Sequence, residues 1–124
     1  MEKIYTKNAP EAIGPYSQAV VTGNLVFTSG QIAIVPESGA VEATDIKGQT
    51  EQVCKNLSAV LAAAGSSLDK VVKTVCFLSD MADFAEFNQV YGSYFTGKPA
   101  RSCVAAKALP KNVLVEVEAI AEIG

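Results

Sequence analysis

Histidine is absent from this chain of 124 residues, and cysteine occurs only three times. Without histidine the commonest general base near neutral pH and the commonest zinc ligand are both missing. A Ser-His-Asp triad, a Cys-His dyad and a histidine-based metal site are therefore excluded together. The cysteines, Cys54, Cys76 and Cys103, are odd in number and widely spaced. They form neither a C-x-x-C pair nor a disulfide framework, and they suit a reducing, cytoplasmic setting. No apolar run approaches the ~18 residues of a spanning helix, so no membrane role is expected. Met1-Glu2-Lys3-Ile4 shows no charged-then-apolar leader pattern. Glycine-rich phosphate loops are also missing. Basic residues number 10 against 13 acidic ones, giving a net charge of −3. That balance makes nucleic acid a poor expectation as a partner.

What the chain does have is apolar surface. Hydrophobic residues make up 49% of it and the mean hydropathy is positive, which is high for a small monomer. The length fits one domain, residues 1–124, with no repeat or linker. A domain of this size buries roughly two thirds of the surface its unfolded chain exposes. With a membrane segment excluded, a large subunit interface is the expected use of the surplus.

The pattern along the chain predicts strands, helix, strand, helix, strands. Residues 4–6 read as a short edge strand, and residues 17–22 and 25–29 as two strands joined at Gly23-Asn24. Pro36-Glu37-Ser38-Gly39 reads as a turn. Ile46, Thr50, Val53, Leu57, Val60, Leu61 and Ala64 recur at helical spacing, with Thr44 or Asp45 to cap the start and Gly65 to stop it. Val71 to Leu78 is a strand apolar on both faces. A second helix starts at Asp80 or Asp83 and carries Phe84, Phe87, Tyr91, Tyr94 and Phe95. Strands near 101–107 and 113–121 follow, and Leu109-Pro110-Lys111-Asn112 between them suggests a hairpin or a similar antiparallel return. The expected fold class is α+β, a mixed sheet with two helices on one face. Two helices cover one face only. The other face then calls for self-association, which a head-to-tail ring such as a trimer would close.

Several residues could carry chemistry. Arg101 follows Pro99-Ala100 at a strand start, and its planar guanidinium matches a carboxylate with two parallel hydrogen bonds. An arginine paired with a nearby surface acid is the plainer alternative. Glu116 and Glu118 share one strand face with Leu114 and Ile120. They line either a solvated outer face or a cleft in which desolvation makes a carboxylate a proton shuttle. If the last two strands form a hairpin with Cys103 opposite Glu116, then Arg101 stands opposite Glu118 and all four share a face. Ser29, in Thr28-Ser29-Gly30-Gln31, ends a strand where a hydroxyl and free backbone N–H groups could meet a ligand. Tyr16, in Gly14-Pro15-Tyr16-Ser17, sits on a stiff loop that packing alone would also explain. Cys103 has no histidine to activate it and reads as a packed thiol whose backbone matters more than its sulfur.

Together these blocks resemble the reactive intermediate deaminase (RidA, YjgF-like) family. The resemblance rests on Pro99-Ala100-Arg101-Ser102-Cys103-Val104, Leu109-Pro110-Lys111 and Val115-Glu116-Val117-Glu118-Ala119-Ile120-Ala121. It rests further on Ala9-Pro10, Ala12-Ile13-Gly14-Pro15-Tyr16-Ser17-Gln18, Thr28-Ser29-Gly30-Gln31-Ile32, and Asp83-Phe84-Ala85 with Asn88. It implies a chorismate-mutase-like single domain, assembled as a homotrimer with sites in the clefts between subunits. It also implies hydrolysis of enamine/imine acids such as 2-iminobutanoate and 2-iminopropanoate to 2-oxo acids and ammonia. On this resemblance Arg101 would hold the substrate carboxylate and Glu116 would position or deprotonate the attacking water. Cys103 through its backbone, Ser29, Tyr16 and Asn88 would complete the pocket. No metal and no organic cofactor is implied. A binding protein for small carboxylic acids, without catalysis, is the alternative function.

Overall fold

Small and branched apolar residues at every second position, Val115, Val117, Ala119 and Ala121, make Val115–Glu122 the strand around which the sheet is organised. In the computed structural model, which describes residues 1–124, it is the last of eight strands. In chain order these are β1 (Glu2–Ile4), β2 (Ala19–Thr22), β3 (Leu25–Thr28), β4 (Ile34–Val35), β5 (Ala40–Val41), β6 (Val71–Leu78), β7 (Ala100–Ala105) and β8 (Val115–Glu122). Two α-helices, α1 (Ile46–Ala63) and α2 (Phe84–Tyr94), complete the regular structure. Six strands form one sheet in the order β1-β2-β3-β8-β6-β7, and β4-β5 is a separate small hairpin. The sheet is mixed, because β6 and β7 run parallel while every other pairing is antiparallel.

The helix α1 begins where expected, with the Asp45 carboxylate accepting from the Gly48 N–H at 2.8 Å. It stops at Gly65, whose φ of 81° lets Ser66 N–H reach back to Leu61 O. Its apolar stripe, Val53, Leu57, Val60 and Leu61, is fully buried. The facing side chains are Val115, Val117, Ala119 and Ala121 of β8, all buried. Phe87 and Tyr91 of α2 join the same core. Both helices therefore lie on one face of the sheet, as the pattern of the sequence predicts. No helix is long and apolar enough to cross a membrane.

The opposite face carries no element of this chain. Phe27 is 40% exposed and Val104 50% exposed there. Val75, Phe77 and Ile120 lie between them on the same parity, half-buried by their neighbours alone.

The last two strands make the antiparallel return, but not as a hairpin, because they are not neighbours in the sheet. A helix separates β6 from β7, and a crossover helix returns the chain parallel to the strand it left. So β7 lies beside β6, with Arg101 opposite Thr74 and Cys103 opposite Cys76. The Pro110–Asn112 turn then carries the chain past β6, and β8 inserts between β6 and β3. The first strand covers residues 2–4 rather than 4–6, and β4-β5 flanks the 36–39 turn.

Candidate functional site

Arg101 is the only arginine among the ten basic residues. It leaves β7 on the helix-covered face, beside α2. Its guanidinium carbon stands 4.9 Å from the Tyr91 ring centre, 5.4 Å from that of Phe84 and 5.9 Å from that of Phe87. One guanidinium nitrogen donates to Asn88 Oδ1 at 2.8 Å. Tyr91 is itself pinned, its hydroxyl bonded to Thr74 Oγ1 at 2.7 Å. No carboxylate reaches Arg101, since the single ion pair in the structure joins Lys55 and Glu51. The paired surface arginine is therefore ruled out within this chain. The residue is a half-buried cation on an aromatic floor, with most of its donors unused.

Glu116 lies elsewhere. Its side chain enters a cleft of about 260 Å³ lined by Pro10, Ile13, Tyr16, Gly30, Ile32 and Lys111, among others. Burial raises its pKa above the usual carboxylate value, and the Glu118 charge adds to the rise. Glu116 keeps this position because residue 30 has no side chain: a Cβ there would meet the carboxylate and push it aside. The carboxylate thus lies against the bare backbone of Gly30, whose N–H donates to no backbone group.

Strand register decides how these two halves relate. Arg101, Thr74 and Ala119 form one row across β7-β6-β8, and Cys103, Cys76 and Val117 another, all on the helix face. The rows Ser102–Val75–Glu118 and Val104–Phe77–Glu116 occupy the other face. Arg101 and Glu116 therefore point to opposite faces of the sheet. The shared face expected from a hairpin is overturned, since β6 stands between the strands that carry them. Arg101 and Cys103 remain neighbours on one face, as do Glu116 and Glu118.

The remaining predicted residues divide between the two halves. Tyr16 is 53% exposed at the cleft rim, so packing within the chain does not explain it. Ser29 is less free than expected. Its hydroxyl donates to Ser17 O at 2.6 Å and its N–H to Gln18 O, so it ties two loops together and leaves Gly30 to face the cleft. Asn88 stands with Arg101, as does half-buried Cys103. Burial raises the pKa of Cys103, and it drives Cys54 and Cys76 up to about 12, so none of the three is a ready thiolate. No group of three or more thiol or carboxylate side chains is placed to hold a metal ion.

Four polar residues that the sequence does not single out line the cleft or brace the segments around it. Buried Gln18 accepts from Thr6 N–H and donates to Thr6 O and Pro10 O, which holds the loop carrying Tyr16. Asn56 of α1 donates to Ile32 O and Ile34 O and so fixes the wall behind Gly30. Gln49 of α1 accepts from Leu114 N–H just before β8. The one signal for the last two is a pair of amides, seven residues apart, on the apolar stripe of a helix. Lys111 is the fourth, placed at the cleft by a left-handed backbone (φ 56°) that is continued by Asn112 (φ 54°).

Comparison with known proteins places this geometry in context. The family model described as Endoribonuclease L-PSP matches residues 6–123. The RutC family protein PH0854 of Pyrococcus horikoshii is 54% identical over 97% of this chain and 96% of its own length. The 2-iminobutanoate/2-iminopropanoate deaminase of Salmonella typhimurium is 48% identical over 95% of this chain and 94% of its own. Among solved structures, E. coli TdcF with bound serine superposes with a TM-score of 0.95 at 42% identity, covering all of both chains.

Proposed function

The chain belongs to the Endoribonuclease L-PSP (YjgF/RidA) family, and from that membership we propose that it hydrolyses small 2-imino acids in clefts between the copies of a homotrimer. Reactive intermediate deaminases are among its relatives. One observation carries the reading. The only arginine, free of any carboxylate, lies on one face of the sheet, and the carboxylate with the raised pKa lies on the other. A head-to-tail ring brings the Arg101 face of one copy against the Glu116 cleft of the next, using the apolar face that this chain leaves open. TdcF carries an amino acid, a ligand with the same α-carboxylate.

The chemistry asks little of the protein. The C=N carbon of an imino acid is already electrophilic. Arg101 holds the carboxylate in its fork and so fixes that carbon. Glu116, in its ionised form, takes a proton from water as the water oxygen bonds to the carbon. That proton passes to nitrogen and gives the carbinolamine; the same carboxylate then relays the hydroxyl proton to nitrogen as the C–N bond breaks and C=O forms, and 2-oxo acid and ammonia leave. A carboxylate shuttle contributes typically ~10²–10⁴-fold. Glu116 also favours catalysis over plain carboxylate binding, because an anion beside an anionic ligand is unfavourable unless it handles a proton. The family description names a ribonuclease, but the acidic net charge and the lack of histidine favour the imine reading.

The test generates 2-iminobutanoate in place, with a dehydratase acting on threonine, and follows 2-oxobutanoate with and without this protein. Acceleration that disappears in Arg101→Ala and Glu116→Gln, and returns when the two variants are co-assembled, is the expected result. No acceleration, with 2-oxobutanoate still bound, would mark a carrier or regulator instead.

A further inference from the structure

Asn88 deepens the reading of the Arg101 site, on which this inference rests. A half-buried guanidinium ordinarily acquires a carboxylate, because losing hydration without a counter-charge is unfavourable. Here the compensation is neutral throughout. Tyr91, Phe84 and Phe87 lie with ring centres 4.9–5.9 Å away, and the one side chain hydrogen-bonded to the guanidinium is Asn88, through its amide oxygen at 2.8 Å. Thr74 locks Tyr91 from below. The nearest alternatives on β7 and β6, Cys103, Cys76 and Thr74, carry no charge, and burial keeps the two thiols protonated.

We propose that Asn88 is the residue that sets the charge preference of this site: by binding one edge of Arg101 as a neutral acceptor, it orients the guanidinium and leaves the positive charge unspent for an anionic ligand. Aspartate would fit the same position, since it is nearly isosteric and retains the accepting oxygen. It would also fill the role of the ligand. A charge-assisted pair at this spot is short and strong, and an incoming carboxylate would have to compete with it. Selection of an anion thus depends on Asn88 being an amide, and the three rings supply the compensation that a fixed counter-ion would otherwise give.

The single arginine makes the test clean, because an arginine-selective dicarbonyl reagent such as phenylglyoxal has one guanidinium to mark, Arg101, and peptide mapping separates it from any label on the terminal amine. The rate of the mass increase would be measured on intact wild type, Asn88→Asp and Asn88→Ala, each checked for unchanged thermal midpoint and assembly. Asn88→Asp is expected to slow modification at least ~10-fold and to weaken 2-oxobutanoate protection by a similar factor. Asn88→Ala is expected to stay within about 3-fold of wild type, because it loses orientation but gains no competing charge. A merely structural asparagine predicts the reverse order, with alanine the more damaging. Modification of Asn88→Asp at the wild-type rate would overturn the proposal. The labelling result does not depend on turnover: a wild type that fails in the imine assay but shows this order of rates would remove the imine reading and leave the role of Asn88 standing.

Discussion

The two faces of the six-stranded sheet are built from the same strands and do opposite things. On the helix face of β8, Val115, Val117, Ala119 and Ala121 are at most 3% exposed. On the other face the same strand presents Glu116, Glu118, Ile120 and Glu122. The neighbouring side chains there include Phe27 and Val104, both substantially exposed. One face is finished within the chain and holds it folded. The other remains incomplete, and it carries the carboxylate that the cleft displays. Arg101 complicates this division, because it sits on the finished face yet at its margin, on the edge strand β7. On the proposed function, a site that uses both charges bridges two copies.

Substitutions can break that comparison at its strongest point. Arg101→Ala should lower imine turnover and 2-oxobutanoate binding by roughly 10²–10³-fold, the scale of losing one preorganised charge-stabilising donor. Its thermal midpoint should stay near wild type, since no ion pair is lost. Leu57→Ala, on the finished face, should cost about 2–5 kcal/mol in denaturant unfolding, because Leu57 is fully buried against the sheet. Gly30→Ala should reduce turnover by about 10²-fold with little loss of stability, since the new methyl group displaces the Glu116 carboxylate. Phe27→Asp, on the open face, should leave the helical circular dichroism intact and shift sedimentation towards the monomer.

The smallest effect sharpens the electrostatics. The pKa of Glu116 is raised in the folded state by burial and by Glu118. Folded protein then holds its proton more tightly than unfolded chain does. The contribution to stability is fully present below the unfolded pKa and is lost as pH rises through the folded one. Glu116→Gln should consequently raise the thermal midpoint at pH 8, by less than about 4 °C because the group is half exposed. The difference should vanish near pH 4. The acid limb of the pH–rate profile should fall above the ordinary carboxylate range.

Much of the site is legible in the sequence. Arg101 and Glu116 stand out by residue type, and strand parity alone places Glu116 and Glu118 together. Gln18, Gln49 and Asn56 do not stand out, because their partners are loop carbonyls and amides far along the chain. Ser29 stands out for the wrong atoms, since its hydroxyl and N–H are taken by Ser17 and Gln18.

The chain by itself determined which residues alternate, where the helices start and stop, and that apolar surface exceeds what one domain can bury. These follow from local periodicity and from composition, which neighbours in sequence settle. Only the tertiary structure decided which strand lies beside which. The crossover through α2 sets β7 parallel to β6, and β8 then takes the other side of β6. Pairing depends on where a helix sends the chain, and a one-strand change in position or a one-residue change in register moves a side chain to the opposite face. That non-local choice puts Arg101 and Glu116 on opposite faces of the sheet within the chain, which is why the proposed site calls on a second copy.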